Sequence, residues 1–209
     1  MRWRRKLDLL PNINDISELE AIYGVPAKAS LIKVRDFVTP LHATWIAASR
    51  LCILSTIGPE GTDASPRGDD GPAARLADPR TLLIPDWRGN NRMDSLRNIV
   101  RDGRVSLLFL VQGANICVRI NGLAEVRLDD DLLDQFDDKG RKPRSVIVVS
   151  VAEVYSQCAR ALMRAGTWSG EDHSAGLPTV GDFLNEAEAD FDGAAYDAAW
   201  GDRAEKTMW

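Results

Sequence analysis

Histidine and cysteine are scarce in this 209-residue sequence, and their scarcity narrows the chemistry it can carry. The two histidines, His42 and His173, stand far apart, so imidazole has no partner around which to build a metal centre. A mechanism resting on histidine acid–base catalysis has little to stand on for the same reason. Cys52, Cys117 and Cys158 are odd in number, widely spaced and in no C-x-x-C arrangement. That argues against a disulfide framework and against a zinc site. No apolar run approaches the roughly 20 residues needed to span a bilayer. The opening MRWRRKLDLLP is basic but has neither the apolar stretch nor the cleavage site of a signal peptide. The expectation is a cytoplasmic protein with no membrane partner. No G-x-x-x-x-G-K-[ST], G-x-G-x-x-G or G-x-S-x-G is present, so nucleotide-fold and serine-hydrolase readings lack a motif.

A net charge of −5 disfavours nucleic acid as the main partner. The charge is unevenly spread. From Ser65 to Arg104 eight arginines face six aspartates, whereas from Glu171 to Lys206 acidic residues outnumber basic ones ten to two. The middle of the chain is locally basic and the tail is acidic.

Taken in order, the sequence suggests helices, then a run of strands, then helices. Asp15 to Glu18, or Ser17 to Glu20, has capping-box spacing, with Ile16, Leu19 and Tyr23 on one helical face and Gly24 as the stop. Thr39-Pro40 opens a second helix, predicted over 41–48, with His42 as a solvated surface residue. Leu51 to Ile57 and Thr62 to Pro66 read as a β-hairpin that delivers the chain into Arg67-Gly68. Asp69 to Pro79 reads as a loop, and Thr81 to Pro85 as a strand covered on both faces. A helix is expected to start at Asn90 or Asn91, with Met93, Leu96, Ile99 and Val100 as its apolar stripe. Arg104–Val111 and Ile116–Leu128 follow as strands, with a bend or bulge at Asn121-Gly122. Asp129 caps a short helix, 137–142 is a charged loop, and Ser145–Tyr155 is a β-branched strand. Helical patterns then recur over 158–166, 180–191 and 195–209. Hairpin connections dominate and no strand–helix–strand series repeats, which disfavours a doubly wound parallel sheet. A small closed barrel flanked by helices fits better.

The chemistry concentrates between Ala64 and Leu96. Arginine presents five N–H donors in a rigid, permanently charged fork suited to phosphate. Pro66 stiffens the turn before Arg67, and Gly68 permits close backbone approach. Arg92, if it lies in the first turn of a helix, is poorly placed for the helix dipole unless an anion binds there. Asn90, Asn91 and the free amides of that turn would converge on the same anion. From spacing alone, a surface pair from Arg67 to Asp69 or Asp70 is an equal reading. Arg97, Arg101 and Arg104 suit a helix C-terminus, while Arg75, Arg80 and Arg88 default to solvated surface.

The runs ASPRGD, TLLIPDWRGNNRMDSLRNI, RVSLLFLVQG and VRINGLAEV occur in this order, and CARALMRAGTW follows. Together they resemble the pyridoxamine 5′-phosphate oxidase-like family of FMN-binding split-barrel proteins, in particular a bacterial subfamily of flavoproteins. The resemblance covers Thr39 to Trp168. It implies an α+β protein built on a six-stranded antiparallel split β-barrel. With the order of elements, the expectation is a single domain with an N-terminal helical arm (1–38), a barrel core (39–166) and an acidic helical tail (167–209). It further implies a homodimer with FMN at each end of the subunit interface. By position, Ser65-Pro66-Arg67 lies along the flavin and ribityl chain with Gly68 beside it. Arg67 and Arg92 hold the phosphate with Asn91 and Asn90, and Ile84-Pro85 flanks the cofactor through its backbone. Trp168 either reaches the isoalloxazine from the partner subunit or anchors the tail to the barrel.

The oxidases proper hold their substrate's phosphate with a Lys, Tyr, Arg and Ser set and a late Arg-x-His. Lys142, Arg144 and Ser145 are present but not in that pattern, and no Arg-x-His follows Trp168. The resemblance therefore carries FMN binding and FMN-dependent oxidoreduction of a small molecule, not pyridoxamine phosphate oxidation itself. A non-catalytic flavin-binding or sensor protein and a cofactor-free interaction protein are the other readings.

Overall fold

A computed structural model describes residues 12–138, 140–158 and 160–207. The chain divides into two compact units, 1–34 and 35–209. In the first, α1 (Ile16–Tyr23) starts where the Asp15 carboxylate accepts from the Ser17 amide at 2.6 Å, and it stops at Gly24, whose φ is 69°. That cap reaches the second helical amide rather than the third, so the box spacing is not used. Helix α2 (Lys28–Ile32) follows, and neither helix has a buried residue.

The second unit opens on α3 (Pro40–Ala48), entered as expected through Thr39, whose hydroxyl accepts from the His42 amide. The same hydroxyl lies 3.0 Å from His42 Nδ1. The imidazole is half-buried rather than solvated, and Ile46 on the same helix is sealed in the core. The sheet comprises β1 (Leu51–Gly58), β2 (Gly61–Gly68), β3 (Arg75–Asp78), β4 (Thr81–Asp86), β5 (Arg104–Leu110), β6 (Ile116–Arg127) and β7 (Ser145–Cys158). Helices α4 (Asp94–Arg101) and α5 (Asp130–Asp134) interrupt it. Strand order is β2-β1-β5-β6-β7-β4-β3, with every neighbouring pair antiparallel.

This is an antiparallel sheet with flanking helices, consistent with a split barrel. It has seven strands and open edges where six closed strands were expected. The additional strand is β3, inside the segment read as a loop. Four residues between Gly-Pro and Asp-Pro carry little periodicity, and its pairing with β4 slips between Leu76 and Asp78.

The core follows from the two-residue period of the strands. Cys52, Leu54 and Thr56 of β1, Val105, Leu107 and Phe109 of β5, and Val149, Val151 and Val154 of β7 are buried. Burial pushes the Cys52 thiol up to about 12, partly offset by Arg67, so it is an inert core residue. Leu82, Leu83, Ile84 and Pro85 of β4 are all buried, as expected for a strand covered on both faces. The bulge at Asn121-Gly122 is also present: Asn121 pairs with Glu153 but Gly122 with Val151. A Cβ at Gly122 would sit 2.1 Å from the Ser150 carbonyl oxygen. The position therefore admits only glycine without movement of β7.

After β7 come α6 (Arg160–Arg164), α7 (Val180–Ala187), α8 (Gly193–Ala198) and α9 (Trp200–Thr207). The expected last helix is split, and its start moves back to Asp192, which caps α8 by accepting from Ala195. Its final residue, Trp209, lies outside the described residues. Arg203 stacks between Tyr196, at 4.0 Å, and Trp200, at 5.3 Å.

Gly122→Ala should lower the unfolding free energy by about 1–3 kcal/mol through overpacking, read as a lower urea midpoint at unchanged slope. A second expectation concerns pH. Burial, with Arg35 adding to it, lowers the His42 pKa from 6.5. The unfolded chain then takes up a proton at a higher pH than the folded one, so stability is full above about pH 6.5 and declines as pH falls below it. Stability measured against pH should lose part of this acid-side decline in His42→Gln.

Candidate functional site

The curled sheet brings the C-terminal ends of β2 and β4 together, although no ladder joins them among the described residues. Along β2, Asp63, Ser65 and Arg67 alternate onto one half-buried face. Arg67 Nη1 donates to Asp86 Oδ1 of β4 at 2.5 Å, and its Nε donates to Ser65 Oγ at 3.2 Å. Ser65 Oγ lies 3.1 Å from Ser95 Oγ, and Ser95 in turn donates to Asp63 Oδ2 at 2.5 Å. Ser95, on the first turn of α4, is 3% exposed. A chain of polar contacts therefore ties α4 to β2 and β2 to β4. The alternative surface pair from Arg67 to Asp69 or Asp70 is not what forms. Asp69 accepts instead from the Trp87 indole at 2.9 Å, and Asp70 pairs with Arg50.

The segment between β4 and α4 departs from expectation. The helix starts at Asp94, not at Asn90 or Asn91, so Arg92 precedes it rather than lying in its first turn. Asn91 and Met93 both have φ of 61°, a left-handed conformation that breaks any continuous helix there. Asn90 does cap, but it caps a turn: its Oδ1 accepts from the Arg92 amide at 3.0 Å. Helix α4 consequently begins with no side-chain cap, so its first amides lack an intrahelical or capping partner. Its buried face is Ser95, Asn98 and Ile99, while Met93 and Val100 are exposed. Arg92 pairs with Asp94, and its side chain is 79% exposed.

Four contributors were not singled out from the sequence as ligands of this site: Asp63, Asp86, Ser95 and Arg144, the last named only as falling outside a substrate-phosphate pattern. Arg144, just before β7, donates from Nη1 to Asn91 Oδ1 at 2.6 Å, and its amide donates to the Asp86 carbonyl at 3.0 Å. It has no carboxylate partner among the described residues. Its only sequence signal was a basic residue before a β-branched strand, and the sheet order that brings β7 beside β4 is what makes it relevant. Asp63 and Asp86 lie on strands distant in sequence and Ser95 lies on α4, so only the packing of these elements brings them together.

These residues line a cleft of about 720 Å³, whose polar wall includes Ser65, Arg67, Asn91, Arg92, Ser95 and Arg144. Asn90 lines it too, and three carboxylates, Asp63, Asp86 and Asp94, face the same space. A second cleft of about 590 Å³ adjoins it, with Pro66, Gly68, Pro85 and Trp87 in its wall and Arg50 and Arg88 at its margin. Of the remaining expected residues, Ile84 is fully buried, so only its backbone is available to a ligand. Trp168 lines neither cleft; its indole donates to the Ala114 carbonyl between β5 and β6 at 3.0 Å. Arg75 lies over the Phe136 ring at 4.6 Å and Arg80 pairs with Asp36 at 2.6 Å, so both serve structure. No group of ligating side chains able to hold a metal ion is found among the described residues, and no helix there is long and apolar enough to cross a membrane.

A protein-family model described as pyridoxamine 5′-phosphate oxidase matches residues 38–158, more than half of the chain. The chain belongs to this family. The matched span begins just before α3, runs through the whole sheet and contains both clefts. Solved structures similar to this pyridoxamine 5′-phosphate oxidase family member include HupZ of Group A Streptococcus, at 16% identity and a TM-score of 0.49 over 58% of this chain and 95% of that one. General Stress Protein 26 of Bacillus anthracis is 17% identical, with a TM-score of 0.41 over 55% and 88%. The FAD binding protein of Mycobacterium smegmatis is 11% identical, with a TM-score of 0.41 over 59% and 97%. No curated protein matches the chain.

Within this family member, the two ion pairs of the first cleft should differ in strength. The Arg67 and Asp86 side chains are only 20% and 15% exposed. A double-mutant cycle with Arg67→Ala and Asp86→Ala should give a coupling of about 1–3 kcal/mol in chemical denaturation. The same cycle on the solvated Arg92–Asp94 pair should give no measurable coupling.

Proposed function

We propose that this member of the pyridoxamine 5′-phosphate oxidase family is a cytoplasmic FMN-binding flavoprotein that works as a homodimeric oxidoreductase on a small molecule. The observation that carries the reading is the convergence of Arg67, Arg92 and Arg144, from three separate segments, on one cleft at the uncapped start of α4. The donor set suits a phosphate monoester: guanidinium forks, serine hydroxyls and free helix amides all donate, and all face the same space. Arg92 can leave an exposed partner cheaply, whereas Arg67 is held by Asp86 and serves as a fixed wall. In this reading Asn90, Asn91, Arg92, Arg144 and Arg67 hold the phosphate. Ser65, Pro66 and Gly68 lie along the ribityl chain and ring, with the Ile84-Pro85 backbone opposite. Bound there, the flavin supplies hydride or electron transfer, and the protein supplies binding, orientation and exclusion of water. The dimer would place FMN at each end of its interface, with the partner's Trp168 beside the ring.

One observation favours the cofactor-free reading: Arg67 and Arg92 both already have carboxylate partners. Titration with FMN separates the two. Protein purified without added cofactor should carry flavin absorbance or take up FMN. A colourless protein that takes up none overturns the flavin reading. Arg67→Ala, Arg92→Ala and Arg144→Ala should each raise the FMN dissociation constant roughly tenfold or more, and unchanged constants in all three would refute the assignment. Reduction of the bound flavin by NADH or NADPH would mark an enzyme, and its absence together with inert amine substrates a binding protein.

A further inference from the structure

The family match ends at residue 158, so the acidic tail with α6 to α9 lies beyond it, and the tail lines neither cleft. It is nonetheless a specified unit. Helices α7 and α8 meet at two glycines: a Cβ on Gly181 would sit 2.2 Å from the Gly193 carbonyl oxygen, and one on Gly193 2.3 Å from that of Gly181. The Gly181 amide donates to Asp197 Oδ1 at 2.9 Å, and Thr179 and Asp182 form a capping box at the start of α7. Those two glycines are the buried residues of α7, α8 and α9, and no apolar side chain joins them. Leu177, Val180, Phe183 and Trp200 are 59–66% exposed. Helices packed this closely with no apolar core of their own present an apolar face to another surface. From Ser169 to Thr207 no hydrogen bond or ion pair reaches the sheet or α4 among the described residues.

A complementary surface borders the first cleft. Met93, Val100 and Leu128 line it and are all exposed. On α4, Val100 is flanked by Arg97, one turn before it, and by Arg101. Arg97 has no hydrogen-bond or ion-pair partner among the described residues. Arg92 and Arg101 are in solvated pairs with Asp94 and Glu60, which give way readily to other carboxylates. On α7, Val180 and Phe183 share a face, and Glu186 lies one turn after Phe183. Glu186, Glu188 and Asp190 have no side-chain partner among the described residues. An apolar strip edged by arginines thus matches an apolar helix face edged by carboxylates.

We infer that α7 of a second copy of this chain docks on the Met93–Val100–Leu128 strip, with its carboxylates on Arg92, Arg97 and Arg101. One chain leaves both faces uncovered, whereas two copies cover each other's reciprocally, the closed arrangement of a two-fold dimer. The second copy's helix then adds a wall to the first cleft on its exposed apolar side. This contact extends the dimer of the functional proposal and rests on that dimer; it needs no flavin.

Disulfide trapping between unlike chains tests it, in a Cys158→Ser background because Cys158 is the exposed thiol. Chains carrying Val100→Cys are co-expressed with tagged, longer chains carrying Phe183→Cys and are mildly oxidised. A covalent product of the two unlike chains is expected. Arg97→Glu/Arg101→Glu in the first chain should cut its yield roughly fivefold or more, and Glu186→Lys/Glu188→Lys in the second should restore it. A product indifferent to the charge reversal overturns the proposal. So does an internal disulfide in a chain carrying both cysteines without the unlike-chain product, which would place α7 on its own strip. Light scattering of the untrapped protein separates this surface from the dimer itself. A dimer that gives no trapped product overturns the docking surface and leaves the dimer standing, whereas a monomer at every concentration removes both.

Discussion

Arg67 and Asp86 meet where two strands of one curled sheet approach without a ladder between them. Backbone ladders join the neighbouring strand pairs of the sheet, but here side chains make the link. Removing two charges from water is costly, and the pair is stabilising only insofar as its geometry and remaining hydrogen bonds compensate. They are well supplied. Arg67 also donates to Ser65, and the backbone of Asp86 accepts from the Arg144 amide. The pair therefore fixes three segments at once: the end of β2, the end of β4 and the entry to β7. Both clefts take a wall from it. The Trp87–Asp69 contact joins the same two segments beside it.

The electrostatics of the first cleft are graded rather than uniformly cationic. Three arginines face three aspartates, so an incoming anion meets little net charge and must compete for donors. Arg67 is held in a half-buried pair, Arg92 in a solvated one, and the Arg144 guanidinium has the neutral Asn91 amide as its one hydrogen-bond partner among the described residues. The strength of each existing partner sets how freely each cation can turn to a ligand. By that order Arg144 is the most available, although it is the one with no recognisable motif around it. The uncapped amides of α4 add donors whose direction is set by the backbone and costs nothing to hold.

Much of the fold was legible because it rests on local signals. The Thr39-Pro40 helix start, the 51–68 hairpin, the buried β4 run and the Gly122 bulge each follow from a turn residue or a two-residue period. What failed was also local but ambiguous. Asn90 and Asn91 are good helix caps and equally good turn residues, and left-handed backbone at Asn91 and Met93 decides for the turn. The four residues of β3 carry no period to read, and pair only because β4 has a free edge. For the site, Arg67 and Arg92 stood out through flanking Pro, Gly and Asn, whereas Asp63, Asp86, Ser95 and Arg144 are distant in sequence. Nothing local distinguishes an aspartate that will face an arginine across a split from one that will face water.

Glycine separates structural demand from functional demand in this chain. At Gly122 a side chain would collide with the backbone of β7, so the residue is explained once the bulge is known. Gly89 has no such explanation: its backbone is ordinary and the space around it is open. In a segment that already contains two left-handed residues, an unneeded glycine loosens the connection between β4 and α4 and costs conformational entropy on folding. A loop under no other constraint would be stiffer with almost any residue there. Gly89 lies with Arg67 and Trp87 where the two clefts meet. Along the same segment Trp87 is anchored to Asp69, and Asn90 turns the chain so that Arg92 comes just before the start of α4.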